Sequence, residues 1–125
     1  MNSSPAVSEK FSRDDRLRKR RELEECYASG VRASGRHVQV FLLADPSRER
    51  ARLGISVPRR VGNSPARNRV RRRLREIFRR SRGLLGAGGS ALVVNARPSA
   101  ASASFRELSE DYARTVSRAI RPARR

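Results

Sequence analysis

Residues 51–82 read Ala51-Arg52-Leu53-Gly54-Ile55-Ser56-Val57-Pro58-Arg59-Arg60-Val61-Gly62-Asn63-Ser64-Pro65-Ala66-Arg67-Asn68-Arg69-Val70-Arg71-Arg72-Arg73-Leu74-Arg75-Glu76-Ile77-Phe78-Arg79-Arg80-Ser81-Arg82, and they decide the fold. The first seven alternate. Ala51, Leu53, Ile55 and Val57 point one way and Arg52, Gly54 and Ser56 the other, the period of a half-buried strand. The second face holds only small or basic groups, so either something lies across it or it is a solvent face with a glycine bulge. Residues 58–65 then form a loop, with Ser64 as N-cap and Pro65 at the first helical position, where its missing N–H costs nothing. The helix that follows runs over 65–82, roughly 27 Å at 1.5 Å per residue. At 100° per residue Ala66, Val70, Leu74, Ile77 and Phe78 share an arc about 120° wide, a core-facing stripe.

Upstream, residues 1–15 read as a flexible arm: 1–12 are polar, contain Pro5 and lack periodicity. A helix is predicted over 20–29, with Leu23, Cys26 and Tyr27 on one face and Gly30 at its stop. An edge strand over 31–33, a strand over 37–44 and the turn Asp45-Pro46-Ser47 follow. Downstream come a glycine-rich turn over 84–90 and the apolar strand 91–96, whose pattern predicts burial on both faces. A last helix over 104–119 carries Phe105, Leu108, Tyr112 and Val116, and 120–125 reads as a frayed basic tail. No repeat or linker divides residues 16–119. The order predicts an α+β fold: a two-layer sandwich of one mostly antiparallel four-stranded sheet and three helices.

The 125 residues include 30 Lys+Arg against 12 Asp+Glu, a net charge of +18, and 37% are hydrophobic. That supports one domain with a modest core. No apolar run approaches the ~20 residues of a membrane span, and the N-terminus has no apolar signal segment. The reading is therefore cytoplasmic, with no membrane partner. A single Cys and a single His exclude an internal disulfide and a zinc cluster. A Cys26–His37 nucleophilic pair is disfavoured because Glu24 and Glu25 raise a neighbouring thiol pKa. Of the cations 28 are arginines, whose planar fork binds phosphate bidentately. Codon bias accounts for the choice of Arg over Lys, not for the total charge.

Residues 59–82 hold eleven arginines against one acid, Glu76, a net +10 in 24 residues. Arg67, Arg71 and Arg75 form one row, and Asn68, Arg72 and Arg79 the next. Like charges four apart repel, and Arg67 and Arg69 sit at the unfavourable end of the helix dipole. A solvated charged face would produce such a run, but the near-absence of acids favours a nucleic acid, whose phosphates relieve both penalties. A strand and a proline loop precede this helix, where a DNA-reading helix-turn-helix would place a partner helix. Backbone and shape contacts to RNA fit better.

Residues 54–79, with the core Arg67-Asn68-Arg69 followed by further basic residues, closely resemble the signature of the protein subunit of bacterial ribonuclease P. Arg16-Leu17-Arg18-Lys19-Arg20-Arg21-Glu22-Leu23 with Tyr27 and Gly30, then Val93-Val94-Asn95-Ala96-Arg97-Pro98, match that family's other blocks in order. The resemblance covers about residues 16–119. It implies a fold similar to domain 2 of ribosomal protein S5, with a left-handed βαβ crossover that the usual right-handed rule would not predict. It also implies that an RNA subunit carrying Mg²⁺ hydrolyses precursor tRNA at its 5′ end. The protein would bind that RNA and the single-stranded 5′ leader, with no catalytic residue, no metal or cofactor of its own and no obligate protein partner. Carried over by position, Arg67, Asn68, Arg69, Arg71, Arg72 and Arg75 would lie at the RNA, and Arg59 and Arg60 would bridge loop and leader. Leu23, Tyr27 and Phe41 would line a leader cleft floored by Ser56. Leu23 stands where the family usually has Phe. Without the resemblance, Leu23, Tyr27 and Phe41 read as core.

Two other functions fit the composition. One is a structural ribosomal-type protein that binds rRNA without turnover. The other is a protein-only nuclease with Asp14, Asp15 or Glu76 as metal ligands. It is weakened by the position of Asp14 and Asp15 in a basic arm and of Glu76 among arginines.

Overall fold

The computed structural model describes residues 11, 13–86 and 88–120. The rest of the expected N-terminal arm, residues 1–10 and 12, and the tail 121–125 lie outside the described residues. Helix α1 spans Arg20–Ser29, α2 Ser64–Arg80 and α3 Phe105–Ile120. The strands are β1 (Val31–Ser34), β2 (Val38–Ala44), β3 (Ala51–Ser56) and β4 (Ser90–Ala96), in the spatial order β1-β2-β4-β3. No described helix is long and apolar enough to cross a membrane.

The sheet is mixed, which corrects the mostly antiparallel arrangement. β1 with β2 and β2 with β4 are antiparallel, while β3 and β4 are parallel. The cause is α2, which connects β3 to β4 and returns the chain to the start of the sheet, so the two strands run the same way.

One sheet face and the two long helices make the main core. Val38, Val40, Leu53, Leu92 and Val94 meet Val70, Leu74, Ile77 and Phe78 of α2 and Leu108, Tyr112 and Val116 of α3. The buried residues of α2 are those of its predicted stripe, except that Ala66 is half-buried. The β1–β2 turn is tied to α3 by the buried Asp111 carboxylate, which accepts the N–H groups of Arg36 (2.9 Å), His37 (2.8 Å) and Val38 (3.2 Å). Gly35 is needed there, since a Cβ would stand 2.2 Å from Thr115 Oγ1.

α1 covers part of the other sheet face. Leu17, Cys26, Ala91 and Val93 are buried together there, with Leu23, Phe41 and Leu43 against them. β4 is consequently buried on both faces. The small and basic face of β3 is covered at two of its three positions: Arg52 is 7% exposed, and a Cβ at Gly54 would stand 3.0 Å from Leu23 Cδ2, while Ser56 is exposed. The ladder of β3 runs through Gly54 without a bulge. Its glycine admits α1.

Two helix boundaries differ from the prediction. Asn63, not Ser64, is the N-cap of α2, its Oδ1 accepting from Ala66 N at 3.0 Å. α2 stops at Arg80, where the Ser81 hydroxyl donates back to Ile77 O. Phe11 and the 3₁₀ turn Arg13–Asp15, assigned to the arm, lie on the domain: Phe11 meets Phe78 edge-on at 5.9 Å and Asp15 is buried.

Candidate nucleic-acid interface

Local sequence explains how α2 presents its cations. Ser56 ends β3, Pro58 breaks the strand, and Arg59–Val61 form a 3₁₀ turn before the Asn63 cap. The apolar stripe holds α2 on the sheet, so the remaining positions face outward.

The eleven arginines of 59–82 divide by partner. Arg79 and Arg80 both bond Glu76, Arg82 pairs with Asp15 at 2.8 Å, and Arg73 donates to Ala103 O at 3.0 Å. Those four serve the fold. Among the described residues, Arg59, Arg60, Arg67, Arg69, Arg71, Arg72 and Arg75 make no ion pair, and these are the arginines expected at RNA. Arg67 folds back to the loop, donating to Gly62 O (3.1 Å) and Ser64 Oγ (3.2 Å), and Asn68 Oδ1 steers Arg71 at 2.9 Å. The first turn of α2 holds no acid, so its N–H groups add to the positive end.

Glu76 is held at about 2, well below its ordinary 4.5, by hydrogen bonds from Arg79 and then Arg80. Partial burial, then the charges of Arg16 and Arg71, pull Arg75 below its ordinary value.

The uncovered end of the second sheet face carries the other expected residues. Registers align Ser34, Gln39, Asn95 and Ser56 in one polar row, next to the row Arg32, Phe41, Val93 and Gly54. Tyr27, 41% exposed, stands edge-on to Phe41 at 4.8 Å and donates its hydroxyl to Asn95 Oδ1 at 3.0 Å. Tyr27, Phe41 and Ser56 thus share one shelf. Leu23 sits over Gly54 in the α1 cluster and serves packing as much as lining. Sequence reasoning gave no role to Asn95, whose signal was one amide in an otherwise apolar strand. It also gave none to Arg16, which lies over the Phe11 ring beside Arg75.

The nuclease residues are not brought together. Asp15 pairs with Arg50 and Arg82, and Glu76 with Arg79 and Arg80. Among the described residues no group of three or more His, Cys, Asp or Glu is placed to hold a metal ion. Cys26 is buried, its Sγ 3.3 Å from Phe41 O, while His37 Nδ1 lies 2.7 Å from Ser99 Oγ. Burial pushes the Cys26 thiol up, and Glu25 adds less, so desolvation outweighs the acids cited from sequence.

The ribonuclease P family model matches residues 11–120. The ribonuclease P protein component of Pseudarthrobacter chlorophenolicus is 42% identical over 98 residues, covering 78% of this chain and 71% of the relative. That of Acidothermus cellulolyticus is 38% identical over 104 residues, covering 82% and 86%. These relatives lend the ribosomal alternative no support. The solved ribonuclease P protein of Thermotoga maritima superposes with a TM-score of 0.73 at 29% identity, over 82% of this chain and 96% of that one. The Staphylococcus aureus protein, at 24% identity and TM-score 0.74, covers 82% and 92% and shares the fold. With the arginine surface, the fold and the relatives in agreement, the chain belongs to the family of bacterial ribonuclease P protein components.

Proposed function

We propose that this chain is the non-catalytic subunit of a ribonucleoprotein endonuclease that matures the 5′ end of tRNA. Arg67, Asn68, Arg69, Arg71, Arg72 and Arg75 contact the catalytic RNA, Arg59 and Arg60 bridge towards the precursor, and Tyr27, Phe41 and Ser56 receive its single-stranded leader. The supporting observation is the division of the arginines of residues 59–82: only Arg79, Arg80 and Arg82 reach a carboxylate among the described residues, and seven of the other eight are those expected at RNA. Seven uncompensated guanidiniums need anions from outside the chain, and RNA phosphates supply them.

Mg²⁺ bound by the RNA supplies the hydrolytic chemistry. This chain's part is electrostatic and positional. Its guanidiniums offset the repulsion between two RNAs brought together, and the Tyr27 ring offers a stacking surface, worth ~1–3 kcal/mol per base. Neutralised phosphates bring the RNA to its active arrangement at lower Mg²⁺. The site of action is the cytoplasm, where precursor tRNA is processed.

Reconstitution tests this. Added protein accelerates cleavage of precursor tRNA by the cognate RNA at low Mg²⁺, and the protein without RNA cleaves nothing. Failure to stimulate removes the proposal, and cleavage by the RNA-free protein revives the nuclease reading.

A further inference from the structure

Beside the arginine row, Phe11, Arg16, Leu17, Arg18 and the outer edge of β3 enclose a notch of about 190 Å³ against α2. Arg16, Arg18, Arg71 and Arg75 line it, and Phe11, Leu17 and Ile55 give it an apolar wall. That wall is anchored. Leu17 donates its N–H to Leu53 O at 2.9 Å, extending the sheet edge by one bridge. Phe11 is held between the Phe78 ring and the Arg16 guanidinium, each 5.9 Å from its centroid.

Four arginines lining one concavity repel one another, and none of the described residues lining it is acidic. The lowering of Arg75 by burial and by Arg16 and Arg71 agrees with a cation cluster lacking a counter-ion. A larger hollow, about 430 Å³ beside α3, sets Arg36 and Arg114 against Glu107 and Glu110 and has no such deficit. The volume also restricts the occupant. It falls below the ~300–1,000 Å³ of pockets that enclose a whole small ligand, so a fragment of a longer anionic chain fits better.

The geometry points to a seat for one unpaired nucleotide of RNA, its base or ribose against Phe11, Leu17 and Ile55 and its phosphate on Arg16, Arg71 and Arg75. Guanidinium forks bind phosphate bidentately, and unpaired bases stack on aromatic and apolar groups. This rests on the RNA-binding function proposed above and adds Phe11, Arg16, Leu17 and Arg18 to the contact surface. The nucleotide belongs to the ribonuclease P RNA or to the precursor tRNA leader, which share this chemistry.

The test measures affinity of the full chain for the ribonuclease P RNA and, separately, for precursor tRNA, across a range of salt. Arg16→Gln is expected to weaken one of the two by about tenfold and to make its salt slope shallower by about one. Ile55→Trp fills the notch with every charge retained, and is expected to weaken the same RNA about tenfold without changing the slope. The RNA that loses affinity identifies the source. Arg69→Gln, outside the notch, reports on the general RNA surface. Wild-type affinity in Arg16→Gln and Ile55→Trp, with Arg69→Gln weakened, overturns the notch and leaves the RNA-binding function standing. Wild-type affinity in all three overturns both. Loss in Arg16→Gln alone makes Arg16 an ordinary surface cation and also overturns the notch. Should Ile55→Trp fail to fold by circular dichroism, Arg16→Lys decides, since it keeps the charge but not the fork. Weaker binding at an unchanged slope supports the seat, and wild-type binding overturns it.

Discussion

Arginine does two different jobs at the two ends of this molecule. Where the N-terminal segment meets the β2–β3 loop, Arg48, Arg50 and Arg52 face carboxylates. Arg52 sets both terminal nitrogens on Glu22 at 3.1 Å and reaches Asp45 at 3.5 Å, while Arg50 and Arg82 close on Asp15, which is 1% exposed. From Arg59 to Arg75 the same residue type has no carboxylate among the described residues. The first set substitutes for a core that 125 residues cannot make large. The second is unfavourable in the free protein and becomes favourable against phosphate. Arginine content therefore says little until each guanidinium is assigned a partner.

The comparison can be broken from either side. The largest effect is expected at Asp15. Asp15→Ala removes the buried carboxylate that holds Arg50 and Arg82 and destabilises the fold by about 2 kcal/mol in urea denaturation, since both guanidiniums keep access to water. A change below about 0.5 kcal/mol, the range of ordinary surface substitutions, would show that the network contributes little. Next, Arg72→Ala lowers affinity for the ribonuclease P RNA and makes the salt slope shallower by about one. Its unfolding midpoint stays near wild type, because nothing in the chain depends on that guanidinium. Tyr27→Ala sharpens the contrast between backbone and leader contacts. It weakens precursor tRNA by about tenfold, the low end of a stacking contribution of ~1–3 kcal/mol, and leaves mature tRNA nearly unchanged. Equal weakening would remove the leader shelf.

The smallest effect concerns pH. Glu76 titrates at about 2 in the folded chain against an ordinary 4.5. Its stabilisation is present above pH 4.5 and disappears as pH falls towards 2. The group is partly exposed, so solvent screening limits the effect to below about 1 kcal/mol. Urea midpoints of Glu76→Gln against wild type, measured across that window, are expected to converge at its acid end.

Much of this was legible in the sequence because it is local. The bounds of α1, the apolar stripe of α2 and the doubly buried β4 follow from spacings of a few residues. The Asn63 cap was missed by one position because Asn and Ser both cap and stand side by side. Long-range pairings left no trace. The acids that pair with Arg52 and Arg82 are Glu22 and Asp15, thirty and 67 residues away, so Asp15 read as part of an arm. Gly54 stayed open between a covered face and a bulge because its reason, the Leu23 side chain, sits on another element. The interface arginines were legible as a set for the opposite reason: a charge run without acids has nowhere internal to go.

The most direct test is the salt dependence of the affinity between the full chain and the ribonuclease P RNA. The seven interface arginines predict a log–log slope of about −5 to −6, at ~0.7–0.9 per phosphate contact, and a markedly shallower one once Arg59, Arg60, Arg69 and Arg72 are replaced by Gln. A slope near zero, or one unmoved by those four replacements, would contradict the account.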